Sequence, residues 1–175
     1  ADFRNHPVSY LTAELFEVHD RKRFEIHAFS FGTDTNDEMN LRIKSGVDFF
    51  HDIRSMPHLD AVKFSRSLEI DIAIDLGGYT ANSRTEIFAM SAAPIQASYI
   101  GFLGTMGTGY YDYLVADEVI IPKKNQQYYS EKIIYLPSFQ ANDSTQDLPK
   151  KVFTRKEWGL PDKGFVFCCF NNTYK

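Results

Sequence analysis

The sequence has few of the features that mark secreted or membrane proteins. Its only two cysteines, Cys168 and Cys169, are adjacent in an apolar run. Neighbours on a strand point to opposite faces, so a disulfide between them would be strained, and this usage suits a reducing cytoplasm. No apolar run approaches the roughly 20 residues that span a bilayer, and the first residues lack the apolar stretch of a signal peptide. We therefore expect a cytoplasmic protein that has no membrane partner.

Positive charge is also scarce. Lys and Arg number 19 against 23 Asp and Glu, which gives a net charge of −4. A protein that binds nucleic acid in general needs a basic face to neutralise phosphates, so no nucleic-acid partner is expected. The 43% hydrophobic and 24% charged residues are instead typical of a soluble globular protein. A chain of 175 residues is long enough for one domain with a sizeable core.

Several catalytic patterns are missing. Gly107 and Gly109 begin the glycine pattern of dinucleotide-binding folds, but Asp112 stands at its third position, which disfavours a dehydrogenase. The sequence contains neither the GxxxxGK[ST] phosphate loop nor the GxSxG of serine hydrolases. Its histidines have no HExxH or CxxC pattern beside them, so we expect no metal site.

What the sequence does contain is an alternation of strand-like and helix-like segments. The strand-like segments are short and rich in β-branched and aromatic residues: 24–30, 48–53, 70–76, 95–100, 113–116, 132–136 and 164–170. Amphipathic stretches that fit helices lie between several of them: 8–18, 36–46, 59–68 and 83–90. This alternation predicts an α/β fold with a mainly parallel sheet and helices on its faces.

A polar stretch at 143–151 has the composition of a linker. We therefore expect a first domain over residues 1–150, followed at 151–175 by a linker helix and the first strand of another domain. Thr154 and Glu157 have the spacing of a capping box at the start of that helix. Gly159 and Pro161 would end it.

One segment with candidate chemistry is the run from Asp2 to Pro7. A histidine beside a proline, with a helix starting after it, places the His6 imidazole at a strand-to-helix turn. Open α/β sheets bind ligands at such turns, and a helix N-terminus favours anionic groups. The competing interpretation is a surface histidine beside a helix-starting proline.

Other candidate segments follow strands. Asp75–Thr80 has a glycine pair after an apolar strand, where the backbone can approach a ligand; a tight turn before a capped helix is the alternative. Residues 101–109 hold four glycines and two threonines directly after a strand, and such a loop can offer N–H groups and hydroxyls to a sugar or phosphate. Asn171–Lys175 follows the last predicted strand, and its lysine would suit a diphosphate, although the segment by itself favours a polar tail.

Together these segments resemble the catalytic region of the protein O-GlcNAc transferase/SPINDLY family. The opening matches that family's Asp-Phe-x-x-His-Pro, and Asp75–Thr80 is similar to its Asn/Asp-x-x-Gly-Tyr-Thr turn. The run from Ala93 to Ala97, with the glycine-rich loop after it, resembles its Ala-Pro-Ile-Gln-Ala…Gly-Tyr-Pro-Gly-Thr-x-Gly, which is the most specific match. Residues 170–175 resemble its Phe-Asn-x-x-Tyr-Lys, so the resemblance covers essentially the whole chain.

The resemblance implies a Rossmann-like, doubly wound lobe, the N-terminal one of a two-lobe GT-B-type glycosyltransferase. Family members move a sugar from a nucleoside diphosphate to Ser or Thr of proteins with inversion and without a metal or other cofactor. It also implies tetratricopeptide repeats and a second catalytic lobe in the full chain. Its partners would be a nucleotide sugar and protein acceptors.

The resemblance also implies roles for particular residues. The catalytic ones are a candidate general base, a proton-shuttling carboxylate and a lysine that stabilises the leaving diphosphate: His6, Asp2 and Lys175. Those around the sugar or nucleotide are Pro7, Ile100, Gly101, Leu103, Gly104, Asn172 and Tyr174.

Three positions depart from the animal enzymes of the family. Leu103 stands where they have Pro, Val8 where they have Thr, and Asn172 where they have Gln. UDP-GlcNAc is the expected donor, with the GDP-fucose used by SPINDLY-type members as the alternative. The short stretch between Pro137 and Thr154 leaves no room for the long insert of the animal enzymes, which implies a bacterial-type member.

Two hypotheses of different class follow. One is a lobe of a glycosyltransferase; the other is a non-catalytic sugar-nucleotide-binding or protein-interaction domain on the same fold, because fold does not fix function. On the first hypothesis the acceptor-side groups lie in this chain and Lys175 opens the lobe that follows. These 175 residues alone are then expected to fold at least in part, to bind nucleotide sugar weakly or not at all, and to show no transfer.

Overall fold

The computed structural model describes residues 1–145 and 150–170. The chain divides into two compact units, Ala1–Ser144 and Thr145–Lys175, and each is described by itself. The assignment of these parts to a first and a second catalytic lobe stays a prediction.

The first unit contains the six strands expected within it; one has the predicted bounds and the others are shorter at one or both ends. They are β1 (His27–Ser30), β2 (Phe49–Asp52), β3 (Ile72–Asp75), β4 (Ile95–Tyr99), β5 (Tyr113–Ala116) and β6 (Lys132–Tyr135). All the pairings between them are parallel. The predicted α/β fold with a parallel sheet is therefore confirmed.

The strands form two sheets rather than one. β1 pairs only with β2, and the other sheet has the order β3-β4-β5-β6. In the second sheet each strand lies beside the next one along the chain. Each connection therefore moves the chain by one strand in the same direction across the sheet. The boundary between the sheets falls between β1 and β3, and no sequence pattern indicated it.

Helices connect the strands, as the amphipathic stretches predicted. They are α1 (Pro7–Glu17), α2 (Glu38–Gly46), α3 (His58–Ser67) and α4 (Glu86–Ala89). The last is only one turn, shorter than the expected 83–90, because Asn82 and Ser91 take left-handed backbone angles at φ 60° and 59° and bound it on both sides. A 3₁₀ helix at Lys123–Tyr128 leads into β6.

Three apolar clusters make the core of this unit. One joins α1 to the β4-β5-β6 region and contains Tyr99, Ile100 and Leu114. A second packs α3 and α4 around Ile53 and Val62, and a third fills the space between α1 and α2. Helices thus cover the strands from different sides, which is the layering that a doubly wound fold requires.

The second unit has little regular structure. Thr154 and Glu157 form the predicted capping box, with the Thr154 N–H donating to Glu157 Oε2 at 2.7 Å and the Glu157 N–H to Thr154 Oγ1 at 3.3 Å. The helix they start is a 3₁₀ turn, Lys156–Trp158, and Gly159 ends it at φ 63°. The short helix that was expected after Thr154 and before Gly159 is therefore present as a single 3₁₀ turn.

The strand predicted at 164–170 is absent from the described part of this unit. Phe165, Phe167 and Phe170 are 82%, 90% and 96% exposed, and Cys168 and Cys169 are free thiols. A strand needs a neighbour to accept its backbone hydrogen bonds, and the described residues of the unit offer none. The prediction was therefore wrong for this unit as it stands.

Candidate functional site

His6 caps the first helix. Its backbone is extended, and its Nδ1 accepts a hydrogen bond from the N–H of Val8 at 3.3 Å. Pro7 follows at the first helical position, where its missing N–H costs nothing. The other ring nitrogen, Nε2, lies 3.8 Å from Asp2 Oδ1. The two residues that the resemblance marks as acceptor-side groups therefore face each other.

The loop that carries Asp2 and His6 is fixed by a residue that the sequence patterns did not indicate. Ser9 is fully buried; its hydroxyl donates to the Asp2 carbonyl at 2.6 Å and accepts from the Arg4 N–H at 3.2 Å. Residues 1–5 are not a strand, so the expected strand-to-helix turn is instead a bent loop bound to its own helix.

The same loop is tied to the start of α2. The Asn5 N–H donates to Asp37 Oδ2 at 2.9 Å, and the Asn40 side chain donates to the Phe3 carbonyl at 2.7 Å. Burial works against the charge of Asp37, but its hydrogen bonds from Thr35, Asn5 and Asn40 outweigh that and lower its pKa. The carboxylate therefore stays ionised and holds the loop at neutral pH.

The segment after β3 is a tight turn closed by its own aspartate. Asp75 Oδ1 accepts from the N–H groups of Gly77 and Gly78 at 2.9 and 3.1 Å, and its Oδ2 accepts from the Tyr111 hydroxyl at 2.6 Å. Burial first, and the neighbouring carboxylate second, raise the pKa of Tyr111, so its phenol stays a hydrogen-bond donor. The tight turn that was one of the two interpretations of this segment is therefore present. The helix expected after it is α4, which begins at Glu86.

The glycine-rich loop after β4 packs against that turn. Ile100 takes a left-handed conformation, φ 66°, which is unusual for a β-branched residue. A Cβ on Gly101 would meet the Leu76 carbonyl oxygen at 2.1 Å, and one on Gly78 would meet the Phe102 side chain at 2.5 Å. The two segments that the sequence marked separately thus form one surface, which only glycine allows at these contacts.

A buried carboxylate holds the far half of the loop. Glu131 is 3% exposed, and it accepts from Thr105 Oγ1 at 2.7 Å and from the Met106 N–H at 2.6 Å. Thr105 in turn accepts from the Gly107 N–H at 3.0 Å. The loop is therefore a fixed shape rather than the flexible segment that its glycines would allow.

The His6 loop and the glycine-rich loop belong to one region. Val8 in the first turn of α1 packs against the cluster that contains Ile100. Ala1 lies against Gly32, two residues after the end of β1. Ala1 and Asp75 line the same cavity of the first unit. The loops at the carboxyl ends of β1, β3 and β4 therefore lie together, where parallel sheets bind ligands.

The predicted residues divide into two sets. Asp2, His6, Ile100, Gly101 and Gly104 lie in this region, with Pro7 exposed beside them and Leu103 37% exposed on the loop. The others, Asn172, Tyr174 and Lys175, lie outside the described residues. The supporting contacts of Tyr111 and Glu131 link residues 25 or more positions apart in sequence. Those of Ser9 are local but form only when the loop bends back onto α1, so no sequence pattern showed any of the three.

The described residues hold no group of three or more His, Cys, Asp or Glu side chains that could bind a metal. None of the helices described at 1–145 and 150–170 is long and apolar enough to cross a membrane.

Comparison with known proteins agrees with this geometry. The model of glycosyl transferase family 41 matches residues 1–150. A probable UDP-N-acetylglucosamine–peptide N-acetylglucosaminyltransferase SEC from Arabidopsis thaliana is 41% identical over the whole chain, which covers 18% of that protein. A UDP-N-acetylglucosamine–peptide N-acetylglucosaminyltransferase from Caenorhabditis elegans is 35% identical over 85% of the chain and 13% of its own length.

A solved structure is also similar. A mutant O-GlcNAc transferase from Thermobaculum terrenum superposes with a TM-score of 0.76 at 27% identity, covering 79% of this chain and 27% of that one. The chain belongs to glycosyl transferase family 41, and it spans less than a fifth of the length of the curated relatives described above.

Proposed function

We propose that the complete protein transfers N-acetylglucosamine from UDP-GlcNAc to Ser or Thr hydroxyls of proteins, with inversion, and that this chain supplies the acceptor side of the site. The observation that carries the proposal is the packing of the His6 loop, the Asp75 turn and the glycine-rich loop at one edge of the parallel strands. The matched sequence motifs of the family lie on these same three segments.

The geometry of His6 indicates which of the two residues, Asp2 or His6, receives the proton of the attacking hydroxyl. Because Nδ1 accepts the Val8 N–H, the proton of the neutral ring sits on Nε2, which faces Asp2. A nitrogen that carries a proton donates rather than accepts. We therefore assign His6 to orient an oxygen of the sugar or acceptor by donation, and Asp2 to receive the proton of the attacking hydroxyl.

The donor side needs positive charge to offset the charge that develops on the leaving diphosphate. Lys175 is the candidate for that role, beside Tyr174 and Asn172, and no metal is required if a fixed cation takes its place. These residues follow the first unit in sequence, which fits a second catalytic lobe that binds the nucleotide. Tetratricopeptide repeats elsewhere in the protein and a cytoplasmic location complete the proposal.

GDP-fucose is the second candidate donor, since Val8, Leu103 and Asn172 differ from the animal enzymes near the expected sugar. The relatives named SPINDLY from Oryza sativa and Arabidopsis thaliana are 29% and 28% identical to this chain, against 41% for the SEC protein. The SEC and SPINDLY relatives are all named as probable UDP-N-acetylglucosamine–peptide N-acetylglucosaminyltransferases, which supports UDP-GlcNAc as the donor.

Kinetics of the complete protein test the assignment of roles. We expect Asp2→Asn, His6→Ala and Lys175→Ala each to lower kcat/KM with UDP-GlcNAc by about 10²- to 10⁴-fold, the range for a proton-transfer or charge-stabilising group. Lys163→Ala, an exposed lysine of the second unit, is the control and should leave it unchanged. Wild-type turnover by the first three variants would refute the roles.

The pH profile separates Asp2 from His6 as the proton acceptor. If Asp2 accepts the proton, His6→Asn keeps the acidic limb of kcat/KM, because the ionising carboxylate is still present. Loss of that limb in His6→Asn would instead assign the base to the imidazole.

A non-catalytic domain is the remaining alternative. Titration of the complete protein with UDP-GlcNAc and GDP-fucose, followed by a transfer assay with an acceptor peptide, distinguishes the two. Binding of a nucleotide sugar without transfer would favour the binding domain.

A further inference from the structure

A buried hydroxyl beside the candidate site has no part in the chemistry proposed above. Tyr111 is 3% exposed, and its hydroxyl donates to Asp75 Oδ2 at 2.6 Å. Burial raises the pKa of the phenol, so the hydroxyl stays protonated and remains a hydrogen-bond donor at neutral pH. A side chain so closed off from solvent does not touch a bound substrate, and its effect on the site passes through Asp75.

The Tyr111 ring is held in one place by its neighbours. It stacks on Phe88 of α4, with ring centroids 5.2 Å apart and an angle of 24° between the planes. Gln96, which is buried on β4, donates from its side chain to the carbonyls of Phe88 at 2.9 Å and of Tyr110 at 2.6 Å. One amide group therefore fixes both the residue beneath the ring and the residue before it. The core of the unit thus aims the hydroxyl at the carboxylate.

Asp75 joins Tyr111 to the backbone of the turn. Its Oδ1 accepts from the N–H groups of Gly77 and Gly78 at 2.9 and 3.1 Å, while its Oδ2 accepts from Tyr111. Three donors converge on one carboxylate, and hydrogen bonds to an ionised acceptor are stronger than neutral ones. Without the phenol, the carboxylate would keep its two backbone donors but could turn about them.

The turn holds the glycine-rich loop at more than one point. A Cβ on Gly101 would meet the Leu76 carbonyl oxygen at 2.1 Å, so the two backbones are in contact. The Tyr79 hydroxyl donates to the Met106 carbonyl at 2.9 Å. The start and the middle of the loop are therefore both attached to the turn, and a looser turn would release both.

Ile100 is the position of the loop that needs this support most. Its φ of 66° is rare for a β-branched residue, and such a backbone persists only where the surrounding structure fixes it. Ile100 directly precedes Gly101, which makes the close contact with the turn. These two residues are also among those that the resemblance implies around the sugar.

We propose that Tyr111 is a positioning residue for the donor sugar: acting through Asp75, it fixes the turn, and the turn fixes the segment from Ile100 to Gly104 against the sugar. The identity of the sugar and of the reaction rests on the proposed function. Loss of the hydroxyl leaves the nucleotide with its own contacts but lets the sugar leave its reactive orientation, and misorientation of this kind lowers kcat.

Hydrogen exchange in the complete protein tests the link from Tyr111 to the loop. Tyr111→Phe keeps the ring against Phe88 and removes only the hydroxyl. The amides of Gly77, Gly78 and Gly101 should then exchange at least about fivefold faster, because the turn opens more often. Unchanged exchange at these three amides would overturn the proposal.

Tyr99→Phe is the matched control. Tyr99 is also buried, and its hydroxyl donates to the Phe139 carbonyl at 2.9 Å, so this variant too loses one buried hydrogen bond. That bond does not involve the turn, and exchange at Gly77 and Gly78 should stay within about twofold of the wild-type rate. Equal acceleration in the two variants would show a general loss of stability and would overturn the proposal.

Kinetics of the complete protein test the effect on the sugar. Tyr111→Phe should lower kcat with UDP-GlcNAc by about 3- to 30-fold. Inhibition by UDP, which lacks the sugar, should keep its constant within about twofold, and Tyr99→Phe should leave both quantities within the same limit. Wild-type kcat in Tyr111→Phe, or a loss of UDP affinity as large as the loss of kcat, would overturn the proposal.

A double variant tests whether Asp75 is the link. Asp75→Ala removes the acceptor, so adding Tyr111→Phe to it should change kcat and the exchange rate at Gly101 by less than about twofold further. Additive effects of the two substitutions would show that Tyr111 acts by another route and would overturn the proposal.

The wild-type protein separates this inference from the proposed function. If the wild type transfers sugar but Tyr111→Phe transfers it equally well, the inference fails and the proposed function stands. If the wild type transfers no sugar from UDP-GlcNAc or GDP-fucose, the proposed function fails and the role of Tyr111 toward the sugar fails with it.

Discussion

At the scale of single residues, the region depends on backbone shapes that side chains would prevent. Gly101 and Gly109 flank the glycine-rich loop but differ in their surroundings. A Cβ at Gly101 would lie 2.1 Å from the Leu76 carbonyl oxygen, whereas one at Gly109 would meet nothing within 4 Å. The close contact with Leu76 therefore requires glycine at position 101, whereas no contact requires it at position 109.

Gly101→Ala should therefore lower the free energy of unfolding by about 1–3 kcal/mol, the usual cost of forcing atoms into a packed place. Gly109→Ala should change it by less than about 0.5 kcal/mol. Urea unfolding of the two variants measures the difference. Equal stability of the two would show that the loop does not pack on the Asp75 turn as described.

Two histidines on neighbouring strands, His27 on β1 and His51 on β2, predict a pH dependence of stability. His51 Nε2 lies 2.9 Å from His27 Nδ1, and His27 Nε2 lies 2.6 Å from Glu25. Desolvation, and then the charge of His27, lower the pKa of His51 below its usual 6.5. The folded state thus binds a proton less readily than the unfolded chain, so stability should be complete above pH 6.5 and fall as the pH drops below it.

His51→Phe should reduce the loss of stability at low pH, while it keeps an aromatic ring against Phe49 and Phe64. His58→Gln is the control, because His58 is an exposed histidine on α3. Urea midpoints at pH 5 and pH 7.5 provide the measurement. An unchanged slope in His51→Phe would mean that another group titrates.

At the scale of elements, Glu131 connects the start of β6 to the glycine-rich loop. Glu131→Gln keeps the size of the side chain but replaces one acceptor oxygen with a donor, so one of the bonds to Thr105 and Met106 must be lost. Loss of a hydrogen bond to a charged group costs about 1.5–3 kcal/mol.

We expect that loss in the free energy of unfolding, together with faster hydrogen exchange at Met106 and Gly107. Glu118→Gln is the matched control: Glu118 is 61% exposed and pairs with Lys123 on the surface, a contact worth about 1 kcal/mol at most. Similar hydrogen exchange at the Met106 amide in both variants would contradict the role of Glu131 in holding the loop.

The strands and most helices were predictable because their signals are local. Apolar runs of strand length at 95–100 and 113–116, and the amphipathic stretch at 8–18, each determine an element with little help from the rest of the chain. The prediction at 164–170 was wrong because a strand also needs a partner. Phe165 and Phe167 have the composition of a strand but remain exposed in the described part of their unit.

The candidate site was predictable in part. The motifs located Asp2, His6 and the glycine-rich loop, since each follows a pattern of neighbouring residues. The contacts of Ser9 with Asp2, and of Glu131 with Met106, could not be read from the sequence, because they join residues whose proximity exists only after folding. The division into two sheets is likewise a property of the whole fold.

At the scale of the whole molecule, the proposed function predicts that this chain holds only one side of the active site. Asp2 and His6 face each other in the first unit, while Lys175 lies after it and outside the described residues. If the diphosphate is held by a second lobe, the 175-residue chain should bind UDP-GlcNAc far more weakly than the complete protein. Isothermal titration of both measures this, and equal affinity would contradict the two-sided site.

The most direct test of the proposed function is a transfer assay with the complete protein, UDP-GlcNAc and a Ser/Thr peptide, read by mass spectrometry. We predict that one N-acetylglucosamine is added per modified hydroxyl, that GDP-fucose does not replace the donor, and that the 175-residue chain alone shows no product. Transfer from GDP-fucose but not from UDP-GlcNAc, or robust transfer by the 175 residues alone, would contradict it.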